Sequence, residues 1–228
     1  VLIQPQQLIS GVAPAPGKIT SPDRLSEAFS SIGLTSDRIV IAYDDEGGGW
    51  AGRLIWTLDV IGHTNYHYLD GGLIAWAGEQ RELEAGPQSV QVSDYPVLFD
   101  TTQLVSIPDI LEQLNDNDLA IWDARSAEEH AGEKVLAARG GHIPGAVNLD
   151  WLLLMDNSNH LRLKPLDQIE NTLATIGLDN TKRIVTHCQS HHRSGLSYLV
   201  GKILGLNIKA YDGSWSEWGN HPDTPIEK

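Results

Sequence analysis

The stretch Cys188-Gln-Ser-His-His-Arg-Ser194 contains the chain's only cysteine, placed directly after the run Arg183-Ile-Val-Thr-His187. A thiol reacts as its thiolate, and an ordinary pKa near 8.5 falls when backbone N–H groups, a helix N-terminus or a cation face the sulfur. All three are available here. The amides from Gln189 to Ser194 can curl inward as an anion nest, and Ser194-Gly195 opens a helical pattern whose dipole points at the same spot. Arg193 adds a planar fork able to hold an anion's oxygens in bidentate fashion. Cys188 is therefore the candidate nucleophile, with Gln189, Ser190, His191, His192, Arg193 and Ser194 as the stabilising loop. Two blander readings compete. A lone cysteine is most often a small buried hydrophobe, and His187, Cys188, His191 and His192 could together hold zinc. The second is disfavoured because neighbouring strand side chains point to opposite faces, so His187 turns away from Cys188. No metal and no cofactor is expected.

Such a loop needs elements to aim it. Ile184 to Cys188 reads as a strand, Gly195 to Leu204 as a helix, and a further strand lies near Ile208 to Tyr211. The first half repeats this order with Ile39 to Tyr43, Trp50 to Val60 and a strand near His67 to Leu69. The frames also agree in words: SSIGLTSDRIVIAYDDEGGGW answers to ATIGLDNTKRIVTHCQSHHRSG, and HYLDGGLIAW to KAYDGSWSEW. Strands alternating with helices predict an α/β fold of two domains, each a mostly parallel sheet flanked by helices. Open sheets of this kind bind ligands beyond the carboxyl ends of their strands, where Cys188 falls. The matching place in the first half, around Tyr43, carries DDEGGG and no nucleophile, so that half reads as inactive.

Helix starts support the frame, with Ser21-Pro22 and Ser106-Ile-Pro-Asp109 as caps. The stretch 86–100, GPQSVQVSDYPVLFD, has no helical period and two prolines, and reads as the linker between residues 1–85 and 101–228. The repeat is lopsided: the second half has IWDARSAEEHAGEKVLAARGGHIPGAVNL before its helix, whereas the first half opens at VLIQPQQL. About 40 residues are thus absent from the first domain, within ordinary domain sizes. Their loss predicts at least one missing strand and an exposed sheet edge. A start at Val1 likewise suggests a natural start upstream.

Composition narrows the function classes. Sixteen Lys and Arg against 30 Asp and Glu leave a formal charge of −14, which opposes broad binding to nucleic acid or an anionic membrane. Without an apolar run near the roughly 20 residues that span a bilayer, no membrane segment is expected. A single cysteine makes no internal disulfide, and the start lacks a signal-peptide pattern, so the cytoplasm is the expected compartment.

The tandem repeat, the DAR…GHIPGAVNL segment, the loop CQSHHRSG and the closing YDGSWSEW together resemble the two-domain rhodaneses, the thiosulfate sulfurtransferases. The loop is especially similar to a bacterial branch with a Cys-Gln-x-His-His-Arg-Ser pattern. The resemblance implies a ping-pong transfer in which Cys188 takes the outer sulfur of thiosulfate as a persulfide and passes it to cyanide, a thiol or a protein acceptor. It also implies that Arg193 could hold thiosulfate's oxygens. Arg53 would then face the cleft and attract the anion, unless it is an ordinary surface helix arginine, and Trp151 would pack near the site. In WDARSAEEH, Arg125 and Glu129 stand four apart and would pair on a helix, while His142-Ile-Pro-Gly145 reads as a turn whose histidine bonds locally. Mercaptopyruvate enzymes of the family usually carry a loop of small residues, which favours thiosulfate here. Related phosphatases and arsenate reductases need a wider loop with five residues between cysteine and arginine, against four here. A non-catalytic sulfur carrier or metal-binding module would use the same cysteine.

Overall fold

Hydroxyl, proline and glycine punctuation marks the element ends in the computed structural model, which describes residues 1–86 and 88–228. The first half runs α1 (Pro5–Leu8), α2 (Pro22–Ser31), β1 (Val40–Ala42), α3 (Gly49–Val60), β2 (Tyr66–Tyr68) and α4 (Gly72–Gly78). The second runs α5 (Ile107–Gln113), β3 (Leu119–Asp123), α6 (Ala127–His130), β4 (Val147–Asn148), β5 (Met155–Asp156) and β6 (Arg162–Leu163). It closes with α7 (Leu166–Thr175), β7 (Arg183–His187), α8 (Arg193–Ile203), β8 (Ile208–Ala210) and α9 (Ser214–Trp218). Both expected caps form. The Ser21 hydroxyl accepts from the Arg24 amide ahead of a first-turn proline, and Ser106 and Asp109 satisfy one another's backbone N–H groups in a capping box.

The main sheet is four-stranded and parallel in the order β4-β3-β7-β8, and β5 and β6 form a small antiparallel pair. In the first half β1 pairs with β2 in parallel, and among the described residues β1 has no partner on its other side. Ile41, in the middle of that strand, is 60% exposed. Register refines the repeat. Val40 pairs with Tyr66 as Ile184 pairs with Ile208, so Asp44, one residue past the expected Tyr43, stands where Cys188 stands in the second half. β7 ends at His187 because the Cys188 amide turns out of the ladder and donates to Ser214 Oγ at 3.3 Å.

The two halves share one core. Ile55 and Trp56 of α3 are buried in the same cluster as Leu196, Leu199 and Val200 of α8. The helices touch at glycines: a Cβ on Gly52 would meet the Gly195 carbonyl oxygen at 2.2 Å, and one on Gly195 would meet the Gly49 oxygen at 2.4 Å. Any side chain there would force the helices apart, and with them the loop that opens α8. Within the stretch read as a linker, Pro87 lies outside the described residues. Residues 88–100 form no helix or strand but pack on the first half, with Tyr95 and Val97 buried against Leu25, Phe29 and Leu58.

Candidate active site

β7 delivers Cys188 to the carboxyl edge of the sheet, and α8 begins five residues later at Arg193. The loop between them is held from behind by α9. The Cys188 and Gln189 carbonyls accept from the Trp215 and Ser216 amides, each at 2.9 Å. His191 takes a left-handed φ of 54°, which folds the loop back toward the helix. The sulfur residue is 1% exposed. Burial alone would raise the thiol pKa, but Arg193, the Ser194 hydroxyl and the Ser194 and Ser190 amides outweigh it, leaving the thiol below its ordinary value.

His187 and His191 contribute shape rather than charge. Burial lowers the His187 pKa to about 4 and holds that of His191 well below the ordinary imidazole value, so both are neutral at pH 7. His191 Nδ1 lies 2.8 Å from Ser194 Oγ. With Nδ1 protonated it donates to that oxygen, which leaves the hydroxyl hydrogen free to turn toward the sulfur. Its ring meets Trp56 edge-on at 4.5 Å. His192 points the other way, against Trp50 at 4.7 Å and onto the Glu46 carboxylate, while His187 Nδ1 contacts the Cys188 carbonyl. The imidazoles diverge. Among the described residues no group of three or more His, Cys, Asp or Glu is placed to hold a metal ion.

Arg193 does not present a free fork. Its Nη1 and Nη2 donate to the two carboxylate oxygens of Glu129 at 2.6 and 2.8 Å. Burial would lower the guanidinium pKa, but Glu129 overrides it and holds Arg193 firmly cationic. The expected Arg125–Glu129 pair is thus corrected. Arg125 precedes α6 rather than riding on it, and it turns back to grip buried Asp123, with Nη2 to Oδ2 at 2.6 Å and its guanidinium 4.4 Å from the Trp215 ring. His142 bonds through Nδ1 to the His130 carbonyl, twelve residues away, and stacks on the His130 ring at 3.7 Å.

Arg53 is neither a surface arginine nor a cleft-lining one. It is fully buried, donating to the carbonyls of Gly17 at 2.7 Å, Leu8 at 3.2 Å and His191 at 3.4 Å. Burial lowers its pKa to about 10, so it remains a cation at neutral pH, with the field of buried Asp212 in its favour. It clasps the loop from beneath because the glycine contact next to it draws α3 against α8. Trp151 is partly buried, 5.6 Å from the His192 ring and packed on the shared core.

The first-half arm completes the support. The Ile19 amide donates to Asp212 Oδ2 at 2.7 Å, and Gly17 presses so closely on the loop that a Cβ there would meet the Ser190 oxygen at 2.0 Å. Gly17→Ala must therefore displace backbone, which is costly to move. The expected result is a Cys188 alkylation rate lowered several-fold at pH 7, with melting temperature changed far less. An unchanged rate would show that the arm does not restrain the loop.

The equivalent loop in the first half is already filled. Asp44 Oδ1 accepts from the amides of Glu46, Gly47 and Gly48 at 3.2, 3.1 and 2.8 Å, and Oδ2 from that of Ala51 at 2.9 Å. A carboxylate there occupies the nest that surrounds Cys188 in the second half. Asp212, Gly17 and Asp44 were not singled out from sequence, and Glu129 was noted only as a helical partner for Arg125. In the structure Ser126 and Glu129 form a capping box, but nothing in the sequence spacing ties residue 129 to 193.

A mostly parallel sheet flanked by helices, with a thiol below its ordinary pKa in a loop at a strand end, defines an α/β class with a candidate reactive cysteine. Comparison with known proteins sharpens this class: a rhodanese-like domain matches residues 106–221. The chain belongs to the rhodanese family. It is 49% identical to a thiosulfate sulfurtransferase of Azotobacter vinelandii over 233 residues, covering 99% of this chain and 83% of that protein. A thiosulfate sulfurtransferase of Pseudomonas aeruginosa is 45% identical over 226 residues, again covering 99% and 83%. An anaerobic ergothioneine biosynthesis enzyme from Chlorobium limicola superposes with a TM-score of 0.86 at 22% identity, a likeness of fold that covers 99% of this chain and 59% of that one. No described helix is long and apolar enough to cross a membrane.

Proposed function

We propose that the chain is a thiosulfate sulfurtransferase that works through a persulfide on Cys188. The thiolate attacks the outer sulfur of thiosulfate, the S–S bond breaks, and sulfite leaves with the bonding pair. Cyanide, a small thiol or a protein thiol then attacks the outer persulfide sulfur, and the Cys188 thiolate departs. The observation that carries this reading is the chain's sole thiol, held below its ordinary pKa by Arg193 and the loop at a strand end. A buried cysteine without such partners is inert. Having no second cysteine also suits a persulfide carrier, because a neighbouring thiol would attack the persulfide and discharge it as a disulfide.

On this reading residues 101–228 form the catalytic domain, residues 1–85 an inactive first domain and 86–100 the connector, with the cytoplasm as the compartment. Gln189, Ser190, His191, His192 and Ser194 shape the nest, and Arg53 supports it from below. Thiosulfate is favoured over mercaptopyruvate because the loop CQSHHRS departs from the small-residue loop that mercaptopyruvate enzymes of the family usually carry, and with Arg193 turned to Glu129 neither donor gains a free bidentate clamp. The test is to incubate the chain with thiosulfate and weigh it. A gain of about one sulfur atom that cyanide removes is expected. No gain with thiosulfate, but a gain with mercaptopyruvate, would overturn the donor assignment.

A further inference from the structure

We propose that Glu129 is a positioning residue for this chemistry: by gripping both terminal nitrogens of Arg193, it fixes the guanidinium that opens α8 beside Cys188. The proposal rests on the reading of Cys188 as the working thiolate. An arginine side chain carries about 2 kcal/mol of rotamer entropy, and that of Arg193 is 20% exposed, so an unanchored fork could swing out toward water. Glu129 prevents this from a fixed platform. Its side chain is 2% exposed, its amide donates to Ser126 Oγ, and its Oε2 accepts from the Ser126 amide, each at 3.4 Å, so the first turn of α6 holds the carboxylate in place. Two parallel contacts of 2.6 and 2.8 Å then define the plane of the guanidinium as well as its position.

The charged neighbours are few, and besides Arg193 the cation in reach of Cys188 is Arg53, beneath the loop. Arg193 faces Glu129, Asp123 and Cys188, and Glu129 faces Arg193 and Arg125. Glu129 thus does two things at once. It keeps the cation close enough to stabilise the thiolate, and it occupies the edge of the fork that an incoming carboxylate would otherwise bind. An anionic donor meets Arg193 only through its remaining N–H groups, which disfavours donors that need a bidentate carboxylate clamp.

The test follows Cys188 alkylation by iodoacetamide against pH, alongside thiosulfate kinetics, in Glu129→Ala, Glu129→Gln, Arg193→Ala and the Glu129→Ala/Arg193→Ala double variant. In Glu129→Ala the alkylation inflection is expected to move up by about one pH unit, a tenfold change in the ionisation constant, with the rate below the inflection lowered accordingly. Glu129→Gln keeps one acceptor oxygen and is expected to fall between it and the parent. In the Arg193→Ala background, removing Glu129 should move the inflection no further, because the residue acts through the arginine. A lower melting temperature with an unmoved inflection would make Glu129 merely structural and overturn the proposal. A downward shift, or a further shift in the double variant, would also overturn it. If the parent chain takes up no sulfur from thiosulfate, the functional reading fails instead, and the alkylation series still decides the role of Glu129.

Discussion

Cys188→Ser takes up no mass from thiosulfate and loses at least about 10⁴-fold in sulfur transfer to cyanide, the scale expected when a covalent nucleophile is removed. The argument is chemical before it is structural. The donor's outer sulfur bonds to a thiolate, and a serine hydroxyl is not ionised near neutral pH even with Arg193 beside it. The substitution removes little volume and leaves the backbone contacts at 188, to Trp215 and Ser214, so folding should survive. A melting temperature within a few degrees of the parent would confirm that the loss is chemical. Transfer above a hundredth of the parent rate would show that sulfur moves without residue 188, and the persulfide reading would fall.

The second large effect lies beneath the loop. Arg53→Met is expected to destabilise the chain by about 3–5 kcal/mol, the usual cost of removing one partner from a buried charged network. The carbonyls of Gly17, Leu8 and His191 lose their donor, and buried Asp212 loses the nearby cation that offsets its burial. The guanidinium also lies 4.7 Å from the Trp56 ring, a contact methionine replaces only in part. The check is urea denaturation, where the midpoint should fall with the slope unchanged. Arg53→Lys should recover less than half the loss, because one ammonium cannot reach three divergent carbonyls. An unchanged midpoint for Arg53→Met would mean that the clasp contributes nothing.

The part of this architecture that local chemistry writes was legible before any coordinates. A short apolar run marked β7, the Ser106 cap and its proline marked α5, and the loop CQSHHRS stood out because its residue types are rarely wasted together. The repeat was visible too, though strand pairing was needed to move the equivalence from Tyr43 to Asp44, since one residue of drift leaves the apolar pattern almost unchanged. Long-range partners were not legible. Arg193 and Glu129 are 64 residues apart, and His192 reaches Glu46 across 146. The Arg125 error has the same origin: a four-residue spacing implies contact only on a helix, and α6 starts two residues later, at Ala127. Arg53 was misplaced because a charged residue on an amphipathic helix normally faces water. Only the close glycine crossing of α3 and α8 explains why this one does not.

That crossing sets side by side two loops of the same build, one closed on a carboxylate and one on a sulfur. Asp44 holds its loop with four amide contacts that no reaction changes. In the proposed cycle the second loop keeps the sign of its charge. Thiolate plus thiosulfate dianion becomes persulfide anion plus sulfite dianion, and cyanide anion then returns the thiolate as thiocyanate leaves, so charge balances in each half-reaction. The loop around Cys188 thus centres on an anionic sulfur through the proposed cycle, first as thiolate and then as persulfide. The second half behaves as a socket whose occupant lengthens and shortens by one atom while remaining an anion.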